Sequence, residues 1–434
     1  MAYFIIETEK QLNSLPVVEE CFIKVIPFSD EVHPKLTEVS LIYYNDFSKG
    51  YIFCIKHLEG FSLDIELIKK RLKLSSTVYV TDQKYTSYFL DLENLYDVNQ
   101  HLLDIDNKLK DFTFQTPVYR DFTYKFKNSN KCNLLIPVSK HYEQSESLFG
   151  TLVPLIDRKC LRSPYIAYTE VYKWVEEQGI RIDNKLFEKH FKTNTDSRSI
   201  SGDIIYTSYN LYNITSRPTN SFNGINFLAL NKDNNCRSAF IPKNDIFIEF
   251  DFDAYHLRLI ANKLNINLPF SESIHEYLGK QYFNKSKLTD QEYAECKKIT
   301  FRQLYNGVEK KYKKIEFFEK INMFIQYLWG TFKERGYIKL PNGRKLKDNN
   351  EFNPTKLFNY YVQCLETVNN INKLVKLKEL LKDKESKPVL IVYDSILIDY
   401  SKKDGKEVLF KIQDILQEGN YVVKIKSGLN YNFS

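Results

Sequence analysis

The chain has 434 residues, 43% hydrophobic and 27% charged, which suits an ordinary globular protein with room for two or three domains. No stretch approaches the ~20 apolar residues of a membrane helix, and residues 1–10 lack a basic region ahead of an apolar core, so neither a span nor a signal peptide is expected. The formal charge of +7 suits a polyanionic partner, while seven scattered cysteines without Cys-x-x-Cys, and seven histidines without His-Glu-x-x-His, argue against zinc sites and fit a reducing cytoplasm.

Strands are expected over 21–28, 37–44 and 51–55, then a helix over 65–72 and a strand over 77–80. Three consecutive strands followed by α/β alternation predict a compact α/β, nuclease-like domain over 1–150. A helix over 164–178 ends at Gly179, which suits a helix C-terminus. Residues 184–235, rich in Asn, Ser, Thr and Tyr, read as loops and short elements facing a polar ligand.

Ile246-Phe247-Ile248-Glu249-Phe250-Asp251-Phe252-Asp253 is a nearly continuous apolar run, the mark of a strand covered on both faces. Helices with a basic, aromatic face follow over 266–335, then a hairpin over 336–344 with Asn342-Gly343 at its turn. A long helix over 354–381 precedes Val389-Leu390-Ile391-Val392-Tyr393-Asp394-Ser395-Ile396-Leu397-Ile398, where Asp394 stands between two buried-strand runs. A helix and a last strand at 421–425 close the chain. A carboxylate in such a place is costly unless a cation or metal neutralises it. Asp251 and Asp394, 143 residues apart, could meet in space and share divalent metal ions. On a helix, Lys297, Phe301 and Tyr305 fall on one face at i, i+4 and i+8. That face offers a cation for a triphosphate and two rings for a base.

In this order the pieces resemble the polymerase domain of the family A DNA polymerases, the family of bacterial DNA polymerase I and many phage replicases. Asp251 to Arg258 resembles the first palm motif, Lys297 to Tyr305 the fingers helix, and Tyr393-Asp394-Ser395 the second palm motif, usually His-Asp-Glu. Gly179-Ile180-Arg181-Ile182-Asp183, Thr215-Ser216-Arg217, Arg237-Ser238-Ala239-Phe240, Ile274-His275, Gly343-Arg344, Asn359 with Gln363, and Gly428-Leu429-Asn430-Tyr431 resemble smaller signatures in the same order.

The resemblance covers roughly residues 155–434. It implies an α/β (α+β) right hand: reduced thumb and start of palm over 151–245, palm at 246–265, helical fingers over 266–335, and antiparallel-sheet palm over 336–434. An RNase H-like domain of exonuclease type would precede it.

It further implies two Mg²⁺ ions, replaceable by Mn²⁺, held by Asp251, Asp394 and the carbonyl of Phe252, with Asp253 and Asp399 peripheral. Lys297 would face the triphosphate and serve as general acid. His256, His275, Phe301, Tyr305 and Arg302 would surround the nucleotide. Arg217, Arg237, Arg344, Asn359, Gln363 and Tyr393 would contact primer-template DNA.

The departures are specific. Tyr293 stands where the family has an arginine, so Arg302 or Lys298 would have to supply that triphosphate contact. His256 replaces the glutamate that excludes a ribose 2′-OH, and Ser395 replaces a carboxylate. The short thumb predicts low processivity without a helper such as a processivity factor or helicase. In the first domain Ile26 and Phe28 stand where a 3′–5′ exonuclease carries metal-binding acids, which predicts no proofreading.

Deoxynucleotide polymerisation for a phage or mobile element, in a bacterial host's cytoplasm, is the expectation. A catalytically silent nucleic-acid-binding scaffold and a polymerase with relaxed sugar selectivity stand as alternatives.

Overall fold

The protein is described by a computed structural model over residues 4–60, 62–106, 116–156, 165–191, 198–222, 225–231, 233–270, 272–347 and 352–433. It forms two compact units: Met1–Gly179 with Phe187–Tyr212 and Asn220–Asn226, and Ile180–Leu186 with Asn213–Thr219 and Phe227–Ser434.

The first unit is built on a six-stranded mixed sheet, in the order Phe4–Ile6, Gly50–Cys54, Val39–Asn45, Glu20–Pro27, Thr77–Val80 and Leu95–Asp97. The three expected strands pair antiparallel, and Thr77–Val80 and Leu95–Asp97 add in parallel. Every residue of Val39–Asn45 is buried because both sheet faces are covered. Ile23, Val25 and Ile42 pack with Ile68 and Leu72 of helix Ile65–Leu72 in one cluster. Phe22, Ile26 and Tyr43 point the other way and pack with Tyr142 and Phe149 of helix Val138–Leu152.

This unit runs past the boundary expected at 150. Helix Ile166–Gln178 belongs to it because buried Glu176 pairs with Lys84 at 2.5 Å and accepts hydrogen bonds from the Tyr88 hydroxyl and the Tyr209 amide. The segment expected to form thumb and early palm is therefore divided between the units.

In the second unit a four-stranded antiparallel sheet runs Lys387–Val392, Ser395–Tyr400, Ile246–Phe252, Val423–Gly428. Strand Ile246–Phe252 lies inside the sheet, with Phe247 and Phe250 fully buried on opposite faces, so its apolar run does not alternate. Helices Ile274–Phe283, Asp290–Asn306, Glu316–Arg335 and Pro354–Leu380 share one apolar cluster that includes Leu278, Leu304, Phe318, Ile321 and Phe358. Asp290–Asn306 starts at a capping box between Thr289 and Glu292. Pro354–Leu380 starts with Asn353 capping the Lys356 amide and Pro354 in its first turn. Tyr337–Lys339 and Lys345–Lys347 form the expected hairpin.

Candidate active site

Strand pairing decides the meeting of the two aspartates. Asp251 pairs with Ser395 in register, and the Phe252 amide donates to the Asp394 carbonyl at 2.9 Å. Tyr393 and Asp394 form the two-residue turn between paired Val392 and Ser395. Tyr393 takes a left-handed φ of 53°, a conformation that favours glycine. It is held there by Asn370, whose side-chain amide donates to the Tyr393 carbonyl at 3.0 Å. Just after the other aspartate, Ala254 has φ 50° and turns the chain into helix Tyr255–Lys263. The Tyr255 ring stacks on Phe252 at 4.2 Å, and its hydroxyl bonds Asn370 at 2.5 Å.

Asp394 opens onto a cavity of about 300 Å³ lined also by Arg217, Ala254, His256, His275, Phe301, Tyr305, Glu366 and Tyr393. The protein crowding its carboxyl, and then the negative charge of Asp251, push Asp394 up to about 6. Among the described residues no lysine or arginine forms an ion pair with Asp394. Two neighbouring carboxylates that repel each other form a hard-oxygen donor set suited to a divalent cation.

The walls come from four helices, the loop of Arg217 and the turn of Tyr393 and Asp394. Phe301 is 42% exposed; its ring stacks parallel to Tyr305, 6.1 Å away, and lies 5.3 Å from His275. Burial, and then the charge of Lys297, push His275 down to about 4, so it is neutral at pH 7. His256 places Nδ1 2.7 Å from the Tyr305 hydroxyl and Nε2 2.6 Å from Glu366. Glu366 also pairs with Arg217 at 3.2 Å, and the Arg217 guanidinium lies 4.0 Å over the Tyr393 ring. Two buried polar atoms at the cavity, Arg217 Nε and His275 Nδ1, have no hydrogen-bond partner among the described residues, which favours a polar ligand.

The POL domain of Pol1 from M. smegmatis, in complex with DNA primer-template and dNTP, is similar with a TM-score of 0.69. The similarity covers 96% of each chain at 10% sequence identity. The chain has the fold of a polymerase domain. No known family's model matches the sequence, and no curated protein matches it.

Several expected site residues lie elsewhere in this fold. Lys297 is exposed one turn from Phe301, with its ammonium 4.7 Å from the Tyr293 ring. Arg302 turns away to pair with Glu309 at 3.0 Å. Arg237 and Arg344, expected to face the duplex, are buried instead. Arg237 donates twice to the Leu230 carbonyl beneath Tyr431, and Arg344 donates to the Asn213 carbonyl at 2.6 Å. A buried guanidinium needs such acceptors, and these carbonyls supply them. Asn359 donates to the Tyr305 carbonyl, bracing helix Asp290–Asn306, and Gln363 is half-buried one turn on. Asp399 accepts from the Lys243 and Asn244 amides, and Asp253 pairs with Lys424.

Sequence reasoning missed Glu366, Asn370 and Lys424. The first two were legible: Asn359, Gln363, Glu366 and Asn370 recur at spacings of four, three and four, a polar stripe on one helix face. Lys424 stands opposite Asp251 only through strand register, which no local pattern marks.

Proposed function

We propose that the chain is a template-directed DNA polymerase of family A type, which extends a primer 3′-OH with deoxynucleoside triphosphates. One observation carries this reading: Asp251 and Asp394, from distant strands, meet with no neutralising lysine or arginine on Asp394 among the described residues, beside a cavity walled by aromatic and basic side chains. Asp251, Asp394 and the Phe252 carbonyl would hold two Mg²⁺ ions, and Mn²⁺ could replace them. No group of three or more His, Cys, Asp or Glu gathers among the described residues. Two carboxylates still fit, because Mg²⁺ keeps waters and takes substrate phosphates as ligands. When bound, such ions supply the charge neutralisation that in-line phosphoryl transfer needs.

The chain's own groups orient the reactants. Lys297, exposed one turn from Phe301 beside Tyr293, would have to swing toward the cavity to meet the triphosphate. Phe301 and Tyr305 offer ring faces to the base. Arg217, Tyr393 and Gln363 would contact the primer-template minor groove, with Asn359 beside them bracing Tyr305. His256 and His275 complete the nucleotide pocket. In the first unit, Ile26 packs in the apolar core where a 3′–5′ exonuclease would need an acid, which supports a unit without proofreading.

Primer extension with Mg²⁺, offering dNTPs or rNTPs, tests the proposal. Template-dependent extension with dNTPs is expected from the wild type and not from Asp394→Asn. No extension under any divalent metal would leave the silent scaffold as the better reading, and equal use of rNTPs would replace DNA polymerisation with a sugar-tolerant activity.

A further inference from the structure

Glu366 sits mid-way along helix Pro354–Leu380 and is 1% exposed. An ionised carboxylate at such a depth costs several kcal/mol unless it is paired and hydrogen-bonded. Both oxygens are used. Oε1 lies 3.2 Å from Arg217, and Oε2 lies 2.6 Å from His256 Nε2. Each partner reaches onward to another wall of the cavity. His256 meets the Tyr305 hydroxyl at 2.7 Å, and the Arg217 guanidinium covers the Tyr393 ring at 4.0 Å.

A carboxylate only accepts, so the His256 Nε2 proton points at Glu366, and Nδ1 is committed to Tyr305. Arg217 is pinned through Nη2, while its buried Nε keeps no partner among the described residues. The pinning therefore leaves guanidinium donors, the Nε–H among them, over for a ligand acceptor. Four side chains from four separate stretches of chain are thus linked to one buried group, Arg217 and His256 directly and Tyr393 and Tyr305 through them.

We infer that Glu366 is a positioning residue for nucleotide binding: it fixes Arg217 and His256, and through them the Tyr393 ring and the Tyr305 hydroxyl, before a nucleotide arrives. The inference rests on the polymerase reading of the same cavity. Its consequence is a split between binding and turnover. Pre-ordering the walls lowers the ordering cost of binding, so loss of Glu366 raises the KM for the nucleotide more than it lowers kcat.

Steady-state primer extension by Glu366→Gln, Glu366→Ala, His256→Ala and the Glu366→Ala/His256→Ala double variant tests this, with thermal melting of each to establish folding. Glu366→Ala is expected to raise the dNTP KM roughly tenfold or more, as for loss of a charge-assisted hydrogen bond, with a smaller change in kcat. Glu366→Gln, which can still bond His256 but no longer neutralises Arg217, is expected to fall between. The double variant is expected to lose less than the product of its single effects. If Glu366→Ala does not fold, the isosteric Glu366→Gln carries the KM test. Wild-type KM and kcat in Glu366→Gln, or fully multiplicative effects in the double variant, would overturn the inference while leaving the polymerase intact. A wild type that extends no primer would instead sink the polymerase reading beneath it.

Discussion

Glu176 in the first unit and Asp394 in the second are both carboxylates crowded by protein, and their surroundings differ in kind. Glu176 is sealed from solvent with Lys84 at 2.5 Å, the Tyr88 hydroxyl at 2.7 Å and the Tyr209 amide. Asp394 opens onto a cavity, and its carboxyl neighbours include another acid, Asp251. The first arrangement already contains its cation; the second leaves two acids side by side, where the proposed metal ions would bind. A carboxylate whose charge is answered within the fold holds elements together, whereas a pair left to repel gives up stability to make a site.

The largest expected effect falls on chemistry. Asp394→Asn should lower primer extension roughly 10³-fold or more, corresponding to several kcal/mol of lost transition-state stabilisation, in single-turnover assays with Mg²⁺. Next comes the sealed pair. Lys84→Met strands the Glu176 charge and should cost about 3–5 kcal/mol in denaturant unfolding. The Mg²⁺ response of the second unit should remain. A variant with unchanged stability would show that the Glu176 charge is not held by Lys84.

The third expectation concerns pH in metal-free buffer. Asp394 has its folded pKa raised from 3.8 to about 6, so between those values the folded state binds the extra proton. This contribution to stability is full below about pH 4 and is lost as pH rises through 6. Asp394→Asn should therefore gain melting temperature over the wild type above pH 6 and not below pH 4. Added Mg²⁺ or Mn²⁺ should narrow that gap by stabilising the wild type alone. A gap independent of both pH and metal would show that the acids do not repel.

The smallest effect belongs to Tyr393→Gly. Relief of the left-handed strain, about 1 kcal/mol, should nearly cancel the lost stacking on Arg217, about 0.5–1 kcal/mol. Stability should change little, while primer-template affinity falls a few-fold in equilibrium binding. A large loss of stability would mean that the ring supports the turn.

Much of this was legible in the residues. The apolar runs around Asp251 and Asp394 specify buried strands because a sheet covered on both faces needs no alternation, and capping residues mark the helix starts at Thr289 and Asn353. The i, i+4, i+8 face of Lys297, Phe301 and Tyr305 follows from helical geometry alone. The pairing of the two aspartates was suggested by their matching contexts.

Other features required the tertiary structure. Basic residues in a motif look alike in sequence whether they face solvent or a buried carbonyl, so the inward turn of Arg237 and Arg344 could not be read. The place of helix Ile166–Gln178 in the first unit depends on Glu176 meeting Lys84, 92 residues away. Strand register set Lys424 beside Asp251, and helix packing brought Glu366 to Arg217 and His256. Local sequence fixes periodicity, caps and turn chemistry because those depend on near neighbours. Which charges end up answered, and which are left for a ligand, depends on contacts between distant segments, and only the folded chain decides them.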